Sequence, residues 1–190
     1  KDGLSLKKLH ENPHGIDLGP LRRQLRKRLE EKRRKIPLAL PLYLDDIPRA
    51  LERLLPRQPG ELRVIGRRHV RSNNSWMHNS HRLVKGPNRC TAMLHPDDAA
   101  LLGIANGMNV RVQSRVGAIE LPAEITESVM PGVVCVPHGF GHDRAGVKLR
   151  VARKEAAGAS LNDITDDRFV DVITGTAVLN GVPVTVAPMA

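Results

Sequence analysis

Aromatic side chains are nearly absent from this 190-residue chain, which has only Tyr43, Trp76, Phe140 and Phe169. Any core must therefore be assembled from Val, Ile, Leu, Ala and Met, and the 41% hydrophobic fraction is enough to supply one. Cysteine is scarce as well. Cys90 and Cys135 stand apart with no CxxC spacing, which argues against a zinc site or a disulfide framework and leaves two reduced thiols. No apolar run approaches the roughly 20 residues that cross a bilayer. The opening KDGLSLKKLHENPHG lacks the apolar stretch of a secretory signal, so the expected location is cytoplasmic. It also lacks an initiator Met, and the chain is expected to be a piece of a longer protein. Acidic residues fall short of basic ones, 20 Asp and Glu against 30 Lys and Arg, for a formal net charge of +10. Such an excess calls for an anionic partner, either nucleic acid or phosphates on a small molecule, or for a neighbouring protein surface. GxGxxG, P-loop, HExxH and GxSxG patterns are all missing, which argues against a free-standing nucleotide hydrolase or protease.

What is present divides into two kinds of sequence. In LRRQLRKRLEEKRRK, residues 21–35, Leu21, Leu25 and Leu29 form a thin apolar stripe on a charged helix. Glu30 and Glu31 lie four residues before Arg34 and Lys35, an orientation worth a few tenths of a kcal/mol per pair, so this helix needs a packing partner. Pro37 and Pro41 break it. A second helix is expected in DDIPRALERLL, with Asp45 or Asp46 as N-cap and Leu51, Leu54 and Leu55 on one face. PRQPG then reads as a linker, which divides the chain into an arm over residues 1–60 and a domain over residues 61–190.

From Leu62 onward the pattern is short β segments separated by turns. ELRVIG and NRCTAMLHP are strand candidates, and HPDDAALLGI is a short helix capped by Asp97 or Asp98 and stopped by Gly103. ANGMNVRVQSRVGAIELPAEIT alternates as a hairpin, with Val110 and Val112 on one strand, Ile119 and Leu121 on the next, and Ser114 to Gly117 in the turn. MPGVVCVPHGFGH is a buried strand entering a Gly-rich loop, and NGVPVTVAP is the last strand. Many short strands, one short helix and no βαβ alternation predict a mainly β fold, a small barrel.

Three polar segments follow strands: Arg67 to Asn79, His138 to His142, and Ser160 to Asp166. In a barrel, such loops can converge at one mouth. Asn, Ser and backbone amides suit a polar heterocycle, and Arg67, Arg68 and Arg71 suit phosphate. His138 and His142 have a metal-like spacing, but Gly139 and Gly141 disfavour a helix there and no third ligand is near, so no metal site is expected. The plainer alternatives are a polar surface loop, a capped turn and a solvated basic helix.

The segments GRRHVRSNNSWMHN, HPDDAALLGIANGMNVRVQSRVGAIELPAEIT, MPGVVCVPHGFGH, SLNDITDD and DVITGTAVLNGVPV cover nearly all of residues 62–186. In content and order they resemble the C-terminal molybdopterin-dinucleotide-binding domain of the molybdenum or tungsten oxidoreductases, in particular the formate dehydrogenase-like branch. Residues 1–60 resemble, less specifically, the segment that leads into that domain. The resemblance implies a six-stranded double-psi β barrel that grips the pterin and diphosphate of a guanine dinucleotide cofactor. By position in the motifs, Asn73, Asn74, Ser75, Met77 and His78 would line the cofactor. His138 with its loop, then Asn162 and Asp163, would complete the cradle, and Arg67 and Arg71 would pair with phosphate. The resemblance also implies parts with no counterpart here: a metal-ligating residue, an iron-sulfur cluster in a preceding region, and a second dinucleotide-binding half. The partners would be the remaining domains of the same oxidoreductase, and the chain alone would carry no catalytic residue. The competing reading is a free-standing basic β-barrel module that docks on nucleic acid or an acidic protein.

Overall fold

The structure, a computed structural model, describes residues 3–25, 29, 36–52 and 60–189. The backbone divides into two compact units, Lys1–Pro48 and Arg49–Ala190. In the first, α1 (Leu6–His10) is capped by Ser5, whose Oγ accepts from the Lys8 N–H at 3.1 Å. There too, α2 (Pro41–Leu44) begins on a proline, whose missing N–H costs nothing at a first helical position. Neither helix has a buried residue. Most of the helix expected over residues 21–35 lies outside the described residues. Within them, Leu21 and Leu25 are exposed, and one helical bond joins the Leu29 N–H to the Leu25 carbonyl at 3.1 Å. The division between units falls within α3 (Ile47–Glu52); Leu54 and Leu55 of its expected apolar face lie outside the described residues.

The second unit contains a closed six-stranded barrel. Its strands are β1 (Leu62–Arg67), β2 (Ala92–Leu94), β3 (Asn109–Gln113), β4 (Ala118–Ile125), β5 (Val133–Pro137) and β6 (Val182–Pro188), in the order β1-β5-β2-β4-β3-β6. Two neighbouring pairs are parallel, β1 with β5 and β2 with β4, with Val64 opposite Val134 and Ala92 opposite Ala123. The remaining pairs are antiparallel. Period-two patterning carries the core. In β3, Val110 and Val112 point inward while Asn109, Arg111 and Gln113 face solvent, and β6 buries Val182, Val184 and Val186 in the same way. All five residues of β5 are buried, so it reads as an apolar run rather than an alternation. No aromatic belongs to the fully buried core. Phe140 and Phe169 only pack against it, and fully buried Val64, Val110, Val112 and Val134 each contribute about 1.5–3 kcal/mol.

The helices depart from expectation in two ways. In α5 (Pro96–Leu102) the cap is His95, whose Nδ1 accepts from the Asp97 N–H at 3.2 Å, and neither Asp97 nor Asp98 has that role. Pro96 takes the first helical position and moves the aspartates into the first turn, where the helix dipole favours them. Asp98 also accepts from the Gly132 N–H at 2.7 Å. The expected stop holds, with Gly103 in the left-handed region at φ 66°. The expectation of a single short helix in this region was too low. Among the described residues there are also α4 (His81–Val84), α6 (Arg150–Glu155) and a 3-10 turn, η1 (Leu161–Ile164).

Candidate functional site

The site begins where β1 ends. Arg67 turns its guanidinium into the protein: Nη1 donates to the carbonyls of Cys135 at 2.7 Å and Thr91 at 3.1 Å, and Nη2 to the Arg89 carbonyl at 3.1 Å and Thr91 Oγ1 at 2.8 Å. Thr91 Oγ1 in turn donates to Glu124 at 2.6 Å. One planar fork therefore ties β1, β5 and the segment entering β2 into a rigid base for the loop that follows.

That loop coils through successive tight turns. The Ser72 N–H donates to the His69 carbonyl at 3.0 Å, Met77 N–H to Ser72 at 3.1 Å, and His78 N–H to Ser75 at 3.1 Å. Asn73 and Asn74 occupy left-handed backbone at φ 42° and 66°. Asparagine is, after glycine, the residue that adopts this region most readily, so the paired asparagines have a backbone reason as well as a side-chain one. Both are exposed, and Ser75 and Met77 are half-buried. Arg68 reaches back to Asn74 Oδ1. Trp76 is 84% exposed.

The loop ends on His78, 4% exposed, whose Nδ1 lies 2.8 Å from Nε2 of His142 and whose ring centroid is 4.3 Å from that of Phe140. Burial is the largest cause holding both imidazoles below the ordinary histidine value. The His142 ring adds to the effect on His78, and hydrogen bonding at Gly139 opposes it in both. The pair is thus a neutral one, in which one ring nitrogen donates and the other accepts. His138, also lowered mainly by burial and then by Arg68, lies against Gly66 of β1. A Cβ built on Gly66 would fall 2.0 Å from His138 Nε2, so Gly66 makes room for that ring.

Glycines bring the three polar segments together. At Gly139 (φ 91°) a Cβ would lie 1.9 Å from the Asn74 carbonyl oxygen, and at Gly141 (φ 97°) one would lie 2.7 Å from Ser160 Cβ. The HGFGH loop is therefore wedged between the asparagine loop on one side and the segment of η1 on the other. Asn162 is exposed on η1 and Asp163 is ion-paired with Arg144. Behind the asparagine loop opens a cleft of about 710 Å³, lined among others by Arg67, Arg71, Ser72, His78, Arg89 and Phe140. Arg71 donates to the Arg82 carbonyl at 3.1 Å from its rim.

Two supporting residues escaped the sequence reading. Asn79 Oδ1 accepts from the N–H groups of Val151 and Ala152 at 2.9 and 3.3 Å, capping α6 from 72 residues away, and Asn180 Oδ1 accepts from the Gly66 N–H at 2.7 Å. Only the tertiary fold makes either pairing, although Asn79 closes the same polar cluster. Among the described residues no helix is long and apolar enough to cross a membrane.

Residues 62–183, from the first barrel strand into the last, match the molydopterin dinucleotide binding domain. The chain belongs to that family. Binding the molybdopterin dinucleotide is thus the function of this barrel. Over 93 residues, 46% of this chain, it is 39% identical to the molybdopterin-containing subunit of the arsenate respiratory reductase of Chrysiogenes arsenatis. Over 60 residues, 32% of the chain, it is 37% identical to the alpha subunit of F420-dependent formate dehydrogenase 1 of Methanococcus maripaludis. These stretches cover 10% and 9% of the two relatives, so the chain spans about a tenth of the length of the curated relatives it matches. Acetylene hydratase from Pelobacter acetylenicus shares the fold of this molydopterin dinucleotide binding domain, with a TM-score of 0.57 at 20% identity over 77% of this chain and 20% of that one.

Proposed function

We propose that the barrel grips the pterin and diphosphate of a molybdopterin guanine dinucleotide through the joined face of its three polar loops. The observation that supports this is the apposition itself: Gly139 packs on the Asn74 peptide and Gly141 on Ser160, so the loops that carry Asn73, Asn74, Ser75, Met77, His138 and Asn162 are neighbours. The donor set fits such a group. Exposed carboxamides donate and accept at once, as a pterin edge requires. Arg71 at the cleft supplies a guanidinium suited to phosphate, one of whose donors already serves the Arg82 carbonyl, whereas Arg89 gives its donors to the Leu83, Val84 and Lys85 carbonyls. Arg67 spends its donors on protein carbonyls, so its part is to hold the base of the loop, and Asp163, paired with Arg144, and His78, paired with His142, shape the face from behind.

In this reading residues 61–190 are the cofactor-binding domain and residues 1–60 lead into it from the preceding part of a longer oxidoreductase, whose other domains are its partners. When bound, the cofactor supplies two-electron chemistry at molybdenum or tungsten, and this chain binds and orients it. An iron-sulfur cluster belongs to the preceding part. The formate dehydrogenase-like branch rests on the motif content, with the Methanococcus subunit one of the relatives matched beside several reductases.

The test is Asn73→Ala and Asn74→Ala in the full-length protein, with metal and pterin measured per mole beside the melting temperature. Loss of one charge-assisted contact of roughly 1.5–3 kcal/mol should weaken binding by about one to two orders of magnitude while the barrel stays folded. Full occupancy in both variants would return the cluster to a polar surface loop.

A further inference from the structure

The tip of the β3–β4 hairpin lies against the turn that carries Asn162. Ser114 N–H donates to the Gly117 carbonyl at 2.9 Å to close the hairpin, and a Cβ built on Gly117 would lie 2.4 Å from the Asp163 carbonyl oxygen, so that position packs on η1 only as glycine. From the same tip Arg115 reaches Asp166 by a two-point fork, Nε to Oδ2 and Nη2 to Oδ1, each at 2.6 Å, and Nη2 also lies 3.3 Å from Asp167 Oδ1. Asp166 Oδ1 accepts a further bond from the Arg168 N–H at 2.9 Å. The Asp166 carboxylate is only 13% exposed, against 51% for Arg115.

This fork completes a three-point mounting. Leu161 and Ile164, 1% and 0% exposed, pin η1 into the core, and Asn162 stands between them on the exposed side. Residues three apart eclipse on a 3-10 turn, so the two buried anchors alone set its rotation about the line joining them weakly, and the Asp163–Arg144 pair and the packing of Gly117 on the Asp163 carbonyl restrain it from within the turn. The third point is the chain leaving the turn, and Arg115 holds it two residues beyond Ile164. A guanidinium suits this duty because a planar fork fixes the carboxylate's orientation as well as its position, which an ammonium cannot do.

We propose that Arg115, acting through Asp166, is a positioning residue for the cofactor: it sets the rotation of η1 so that Asn162 meets the bound dinucleotide. The proposal rests on the reading of Asn162 as a cofactor contact. Arg115 lies at the hairpin tip, 47 residues before Asn162 in the chain.

The experiment is a double-mutant cycle in the full-length holoenzyme with Arg115→Gln, Asn162→Ala and the pair. It follows cofactor release after dilution by the fluorescence of the freed pterin, with the melting temperature recorded for each protein. Asn162→Ala should speed release by about tenfold or more, Arg115→Gln by a comparable factor, and the double variant no further than Asn162→Ala alone. Should Arg115→Gln yield too little holoenzyme, Arg115→Lys, which keeps the charge and loses the fork, takes its place in the same cycle. Release that is fast in Asn162→Ala and unchanged in the Arg115 variant, or effects that simply add, would overturn the role of Arg115 and leave Asn162 a contact. No effect of Asn162→Ala would instead overturn the reading on which the proposal rests.

Discussion

Arg67→Lys is the substitution that most directly tests how the site is built. The arginine makes four bonds from one guanidinium, to the carbonyls of Cys135, Thr91 and Arg89 and to Thr91 Oγ1, over 2.7–3.1 Å. Lysine keeps the charge but presents its donors from a single point, so it can serve one or two of these acceptors and leaves the others without a partner. A hydrogen bond involving a charged group contributes about 1.5–3 kcal/mol, and such bonds are not additive when one side chain makes them all. The loss should be about 2–4 kcal/mol, a fall in melting temperature on the order of 10 °C for a domain of this size. Thermal and urea unfolding of the 190-residue chain provide the measurement. Thr91→Val should cost clearly less in the Arg67→Lys background than in the parent, because its hydroxyl bridges Arg67 and Glu124. Should Arg67→Lys unfold within about 0.5 kcal/mol of the parent, the description of Arg67 as the base of the loop is wrong.

Three further outcomes are expected. The buried His78–His142 pair resists the proton that unfolded histidines take up below about pH 6.5, so its contribution is complete above that value and is lost as pH falls through the lower folded values. The melting temperature should decline between about pH 7 and 5, less steeply in His142→Gln, and a flat parent profile would contradict this. Gly139→Ala should cost at least about 2 kcal/mol through strain and the collision with Asn74, whereas Gly146→Ala, also at positive φ but with nothing within 4 Å, should cost only about 1 kcal/mol, and equal losses would mean that the loops are not in contact. Trp76→Ala should change the stability of this chain by less than about 0.5 kcal/mol because the indole is exposed, and a loss approaching the roughly 3–5 kcal/mol of a buried aromatic would show that it packs.

The strands were legible where burial is one-sided. The alternations Val110, Val112 and Ile119, Leu121 predict β3 and β4, and Ser114 to Gly117 predict the turn between them. Of the short helices, Ile47–Glu52 and Pro96–Leu102 were legible from their Asp, Pro and Gly signals, and the others were not. A segment of four to six residues, such as His81–Val84 or Arg150–Glu155, is too brief to display an apolar period, and η1 declares itself only through Leu161 and Ile164, whose burial depends on the barrel beneath them. The cap at His95 was missed because the aspartates are the commoner caps, while Pro96 decides where the helix can start.

By itself, then, the sequence determines a core of branched aliphatics, the order of its strands along the chain, the polar character of three loops, and the family to which they belong. Such properties are local, written in periodicity and in motifs read a few residues at a time. Only the tertiary structure decides that His78 meets His142, 64 residues away, that Arg67 meets the Cys135 carbonyl, 68 away, and that Gly139 rests on Asn74. Each of those contacts follows from the order β1-β5-β2-β4-β3-β6, which puts the ends of β1 and β5 side by side. Alternation says which face of a strand is buried, but it carries no information about which strand lies next to it.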